Sequence, residues 1–201
     1  MFRGLTALAL GLICSINAQA ALLTSFNFNT NLSPTTTSPG VTVTGLTPVQ
    51  ARVSQVNNLG VGGTGAAQFA SVPNQTYLNS ATLTLSGTPS IQVDSLKFDL
   101  AKNVGAAGGS LKITNNVNSD VYEVSTNSTT FSSKTITFNP IISTSGSIVF
   151  TIARKSDSSN ASALLMDNLE VYGVVPEPAS MAVFAGLGLV GAAMRRRSRK
   201  S

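Results

Sequence analysis

Ala81-Thr82-Leu83-Thr84-Leu85 alternates apolar and hydroxyl side chains with a period of two. That period places Ala81, Leu83 and Leu85 on one face of a β-strand, with Thr82 and Thr84 on the other. β-branched threonine suits the wet face of a pleated sheet. The same pattern recurs outward from this stretch. Upstream, Leu23-Thr24-Ser25-Phe26-Asn27-Phe28 sets Phe26 and Phe28 on one face. Downstream, Leu96, Phe98 and Leu100 share a face, with Lys97 and Asp99 opposite. Leu111 and Ile113 follow, then 121–124, then Thr135-Ile136-Thr137-Phe138. Ile148-Val149-Phe150-Thr151-Ile152 is denser and reads as an interior strand, and Leu169-Glu170-Val171-Tyr172 closes the series.

No stretch between Ala21 and Val174 sustains a 3.6-residue apolar period. Clusters of Gly, Pro, Asn and Ser separate the alternating runs, at 33–40, 60–65, 105–109, 125–130, 143–146 and 156–162. Short strands separated by turn residues predict an all-β domain, an antiparallel β-sandwich or barrel, over 21–174. The 33–40 stretch reads as a loop inside that domain, with a flexible arm as the alternative.

The two ends of the chain differ from this body. Arg3, the apolar run Leu5 to Ile13 and Ala18-Gln19-Ala20 have the order of a secretory signal peptide over 1–20, with cleavage after Ala20. Cys14 follows a large residue, Ile13, which argues against a lipid-modification site. At the other end, Val175-Pro176-Glu177-Pro178 precedes an uncharged run, 179–194, and then Arg195, Arg196, Arg197, Arg199 and Lys200. As a helix the run spans about 24 Å at ~1.5 Å per residue. That is a short crossing of a hydrocarbon core roughly 30 Å thick. The prolines stop the helix from extending upstream. The cations resist translocation and hold the C-terminus cytoplasmic.

The formal charge of +5 and pI of 9.7 suggest a polyanion binder. Position removes that reading, because 21–174 holds seven cations and seven anions. The excess belongs to Arg3 and the C-terminal cluster. Nucleic-acid affinity needs clustered cations that release counterions, and the body offers no cluster beyond Arg154-Lys155, so no nucleic-acid partner is expected.

Catalysis has little material. The chain has no histidine, and its single cysteine, Cys14, lies in the segment to be removed. A Ser-His-Asp triad is therefore impossible. Glu123 and Glu170, the only glutamates of the body, would be a glycosidase pair if they converged, but each sits in a strand-like run as an outer-face residue. Gly60-x-Gly62-x-x-Gly65 matches a dinucleotide-binding glycine pattern. It lacks the following helix, and the next acidic residue, Asp94, is too far along the chain. A plain loop is the expectation. No catalytic residue, and no enzyme, is expected.

The tail is the part that resembles a known family. Pro176-Glu177-Pro178, the apolar run and the Arg-rich end resemble, in that order, the PEP-CTERM sorting signal of Gram-negative bacteria, over 175–201. The resemblance implies export through the inner membrane, transient anchoring by a single transmembrane helix at 179–194, and processing by exosortase, while signal peptidase is the partner expected for the 1–20 segment. It also implies delivery to the cell surface or the extracellular polymer matrix, with extracellular polysaccharide as a partner. Phe26-x-Phe28 and the closing 164–173 segment resemble the jelly-roll sandwich domains found ahead of such tails, and jelly-roll carbohydrate-binding modules in broad outline. In calcium-bearing jelly rolls an Asp placed like Asp167 helps hold a structural ion. The residue reading sets beside this a cap on a turn or a hydrogen bond to neighbouring backbone. No other cofactor is expected. A structural or adhesive role follows from the tail; a carbohydrate- or calcium-binding module is the alternative, and a secreted hydrolase a distant third.

Overall fold

In a computed structural model the described residues are 20–49, 52–70, 79–88, 90–106, 108–118, 120–144, 146–154 and 163–175. They form thirteen strands: β1 (Ala21–Phe26), β2 (Thr36–Thr37), β3 (Val41–Val43), β4 (Thr47–Pro48), β5 (Val53–Val56), β6 (Ala66–Ala70), β7 (Ser80–Gly87), β8 (Ile91–Lys102), β9 (Gly109–Asn115), β10 (Val121–Thr126), β11 (Ser132–Ser143), β12 (Ser147–Arg154) and β13 (Ala163–Val174). A short 3-10 turn, Val61–Gly63, lies between β5 and β6.

The strands make two antiparallel sheets packed as a sandwich. The first has the order β11-β8-β13-β1-β2, with β6 also on β13 and β5 on β6. The second has the order β10-β9-β12-β7-β3, with β4 also on β7. From β7 to β13 the chain changes sheet at every connection except the β9–β10 hairpin. Each change of sheet carries an alternating strand across the core, so one apolar face per strand is enough to fill it.

The alternation read from the sequence sets the core. Ala81, Leu83 and Leu85 are buried on β7, and Leu96, Phe98 and Leu100 on β8. Ile148, Phe150 and Ile152 are buried on β12, which pairs with both β7 and β9 and is an interior strand. Phe138 stacks on Phe150 with ring centroids 5.5 Å apart, and Phe26 stacks on Phe28 at 5.7 Å. Fully burying a side chain of this size contributes about 1.5–3 kcal/mol.

Some local structure departs from the expectation. Phe28 is buried, but it lies past the end of β1 with φ +49. The 33–40 loop contains β2, which pairs with β1 through Thr24↔Thr37 and Ser25↔Thr36. Arg154, half of the body's one cationic cluster, is buried, while Lys155 lies outside the described residues.

β13 is the longest-range organiser. It pairs with β8 along one side, and with β6 and then β1 along the other. Its register with β8 shifts between Asp167 and Glu170 and again between Tyr172 and Gly173. The second shift needs glycine: a Cβ on Gly173 would lie 2.0 Å from the Gln92 carbonyl oxygen and 2.9 Å from Leu23 Cδ1. β1 begins at Ala21, which pairs with Gly173, so the two ends of the sandwich emerge side by side.

Candidate functional site

Three features gather the residues that the sequence singled out: the buried Asp167, a polar groove on the outer face of the first sheet, and the junction where β13 meets the tail.

Asp167 is almost fully buried, at 1% exposure. The bulge after it and the φ of +48 at Asn168 turn its side chain toward the 60–65 loop. One carboxylate oxygen, Oδ2, accepts the Val61 N–H at 2.9 Å and the Thr64 hydroxyl at 3.1 Å. The other, Oδ1, accepts the N–H of Asn168 at 2.7 Å. The loop closes on itself as well, with Gly60 N–H donating to the Thr64 carbonyl at 2.8 Å. Gly65 N–H reaches Asn29 Oδ1 at 3.1 Å, and Gln55 Nε2 donates to the Phe28 carbonyl at 3.0 Å. The glycines here answer to packing rather than to phosphate. A Cβ on Gly60 would lie 2.1 Å from the Gly65 carbonyl oxygen and 2.7 Å from Asp167 Oδ2, and one on Gly65 would lie 2.1 Å from the Phe28 carbonyl oxygen. The loop that the sequence marks as a plain connection is a built turn capped by Asp167.

Burial raises the Asp167 carboxyl above its ordinary range. The hydrogen bonds from Val61, Asn168 and Thr64 act against that rise, and the charge of Asp99 adds to it. This donor set does not fit a calcium ion. Two N–H groups direct their positive ends at the carboxylate, and the Thr64 hydroxyl is shared between it and the Val61 carbonyl 2.7 Å away, whereas calcium needs several oxygen acceptors converging on it. Among the described residues no three acidic, histidine or cysteine side chains come together at any point.

The groove, of about 550 Å³, lies over β1, β8 and β13 and is lined mainly by Ser25, Asn27, Lys97, Asp99, Asn168 and Glu170. Cross-strand register builds it: Glu170 stands between Ser25 and Lys97, and Lys97 is next to Thr135. Lys97 Nζ lies 3.3 Å from Glu170 Oε2, and the Tyr172 hydroxyl donates to the same oxygen at 2.9 Å. Asn168 Nδ2 donates to Asp99 Oδ2 at 2.9 Å. The hydrogen bond and charge of Glu170 raise the Lys97 ammonium above its ordinary value. Tyr172 is raised chiefly by its hydrogen bond to Glu170, then by burial. The groove thus offers amide, hydroxyl and ionic groups that already hold one another in place. It is suited to hydrogen-bonding a polar ligand. Glu170 and Glu123 do not converge: the first is on β13 of one sheet, and the second is on β10 of the other. Glu123 accepts a hydrogen bond from Ser110 Oγ at 2.7 Å.

Asp167 was visible in the sequence, but its partners were not, because Val61 and Thr64 lie more than a hundred residues upstream. The pairing of Lys97 with Glu170 carried no local signal either.

At the junction, β13 ends at Val174, and Val175 still packs on the core. Ala20 is exposed just before β1. Ala18, Pro176, Glu177, Pro178, the 179–194 run and the cations Arg195, Arg196, Arg197, Arg199 and Lys200 lie outside the described residues. Among the described residues no helix is long and apolar enough to cross a membrane. Residues 174–197 match the family model of the PEP-CTERM protein-sorting motif. The chain carries a PEP-CTERM sorting motif. This PEP-CTERM motif starts on the last residue of β13, so the sandwich runs into it without an intervening linker.

No curated relative matches the sequence. Among solved structures, the tandem CBM22-1-CBM22-2 domain of Xyn10C from Paenibacillus barcinonensis is similar at 14% identity and a TM-score of 0.49, over 79% of this chain and 48% of that one. The single CBM22-1 xylan-binding domain of the same protein is similar at 14% identity and a TM-score of 0.42, over 79% and 97%. TmCBM61, solved with beta-1,4-galactotriose, is similar at 15% identity and a TM-score of 0.40, over 74% and 94%.

Proposed function

We propose that this is an exported, non-catalytic surface or matrix protein whose sandwich body serves a structural or adhesive role in extracellular polymer. In this reading residues 1–20 are a signal peptide removed by signal peptidase. The 179–194 run anchors the chain as a helix with Arg195–Lys200 cytoplasmic, and exosortase cuts near Pro176-Glu177-Pro178. The body is read as jelly-roll-like, from the repeated exchange of strands between sheets.

The observation that carries the reading is the junction. Removing the tail beyond Val175 leaves β13 whole, with its pairing to β1, β6 and β8 intact. Removing residues up to Ala20 leaves β1 whole at its first residue. Both cuts trim a finished domain. Mass spectrometry of the surface form tests this: an N-terminus at Ala21 and a C-terminus near Pro176–Pro178 are expected. A surface form that keeps Arg195–Lys200 overturns it.

A second reading, polysaccharide binding, draws on the groove with its hydroxyl, amide and carboxylate lining. A glycan array on the exported protein tests it. Binding lost on Asn168→Ala and Asp99→Ala together supports the groove; no binding at millimolar sugar removes this reading and leaves the first intact.

A further inference from the structure

Two edge strands flank one side of the sandwich. β11 is the edge of the first sheet and β10 the edge of the second. They meet where Tyr122 packs edge-on against Phe138, with ring centroids 4.8 Å apart. An edge strand presents unpaired N–H and C=O groups, and sheets block such edges with proline, charge or a bulge. β11 has all three. Pro140 lacks a donor, Lys134 adds a charge, and the register with β8 shifts between Thr137 and Ile141. β10 has neither proline nor bulge, and its one charge is Glu123, which accepts a hydrogen bond from Ser110 of the neighbouring β9. Its six residues, Val121-Tyr122-Glu123-Val124-Ser125-Thr126, keep an unbroken register with β9 and include neither proline nor a cation. Among the described residues no strand lies along its outer side. Tyr122 and Val124 pack on the core there but stay only partly buried, and Val121 is 55% exposed.

We propose that β10 pairs antiparallel with β10 of a second copy, joining the second sheets of two molecules into one. The register follows from side-chain parity and charge. Outer faces match outer faces only when the two-fold axis passes through a residue. An axis through Glu123 sets two carboxylates directly opposite, which is unfavourable. An axis through Tyr122 pairs just 121–123 of the strand. An axis through Val124 places Tyr122 opposite Thr126 of the second copy and Glu123 opposite Ser125 of the second copy, with Val124 facing its own equivalent. The strand's one charge then meets a neutral hydroxyl residue, and the half-buried Val124 and Tyr122 gain cover. An isologous contact of this kind closes as a dimer. The inference stands apart from the sorting reading, since it uses β10 alone.

Sedimentation of the exported protein tests it with two substitutions at one exposed position. Ser125→Glu places a second acid opposite Glu123, twice by symmetry, and should weaken self-association about fivefold. Ser125→Lys places a cation there and should leave association as tight or tighter. Val124→Cys should give a disulfide-linked dimer on oxidation, whereas Thr84→Cys, on the interior strand β7, should not. A protein that is monomeric at all concentrations, or one on which the two Ser125 substitutions act alike, overturns the proposal.

Discussion

The carboxylate of Asp167 accepts a hydrogen bond from the backbone N–H of Val61 at 2.9 Å, across 106 residues of sequence. This bond ties the last strand to the turn between β5 and β6. It also gives the glycine-rich stretch a structural purpose in place of a ligand-binding one.

Removing that carboxylate should destabilise the fold in a graded way. Asp167→Ala leaves the Val61 and Asn168 N–H groups without their acceptor, while the Thr64 hydroxyl keeps the Val61 carbonyl 2.7 Å away, and should cost about 3 kcal/mol. Asp167→Asn keeps an acceptor for Val61 and Thr64 but turns an amide donor toward Asn168 N–H, and should cost about 1 kcal/mol. Denaturant unfolding of the two variants checks the order.

Acid should reveal the same residue. The folded carboxyl is raised above its ordinary value of 3.8, so between that value and the folded one the native state holds the extra proton. The Asp167 contribution to stability therefore falls as pH rises through this window, the reverse of an ion-paired acid. The advantage of the wild type over Asp167→Asn should grow as pH is lowered toward 3.8. Unfolding curves of both proteins across the acid range measure it. Lys97 behaves in the opposite range: its folded value is raised, so its contribution is present below the ordinary value and is lost as pH rises through the folded one.

The glycines of the loop should not be equivalent. Gly60→Ala drives a Cβ into the Gly65 carbonyl oxygen and should cost about 3 kcal/mol. Gly62→Ala meets open space but must hold φ +68, and should cost about 1 kcal/mol. Thermal melts of the two variants separate steric from conformational cost.

Truncation should divide the chain sharply. A chain ended after Val175 should melt as the exported protein does. A chain ended after Asn168 loses the register Phe26↔Leu169 through Ala21↔Gly173 and should show no cooperative transition. Circular dichroism with heating distinguishes them.

The strand pattern was legible because it depends on nearest neighbours. Burial at 81, 83 and 85, or at 148, 150 and 152, follows from alternation alone. The short strands β2 to β6 were harder to read. Thr36–Thr37 and Thr47–Pro48 are two-residue pairs whose existence depends on β1 and β7, not on their own residues. The site residues divide the same way. The 174–197 motif is local and was readable from its order of Pro-Glu-Pro, apolar run and arginines. The Asp167 cap and the Lys97–Glu170 pair arise where distant strands meet, and no window of sequence contains both partners.

The pairing of Ala21 with Gly173 has a mechanical consequence. Both ends of the body leave from adjacent antiparallel strands at one pole. A load applied across those two ends would peel β1 from β13 one hydrogen bond at a time, beginning at Ala21. A load between that pole and the opposite one would have to shear many bonds together. The body is thus weak when pulled by its own ends and strong when gripped across its length, and the direction of the load decides which strength it shows.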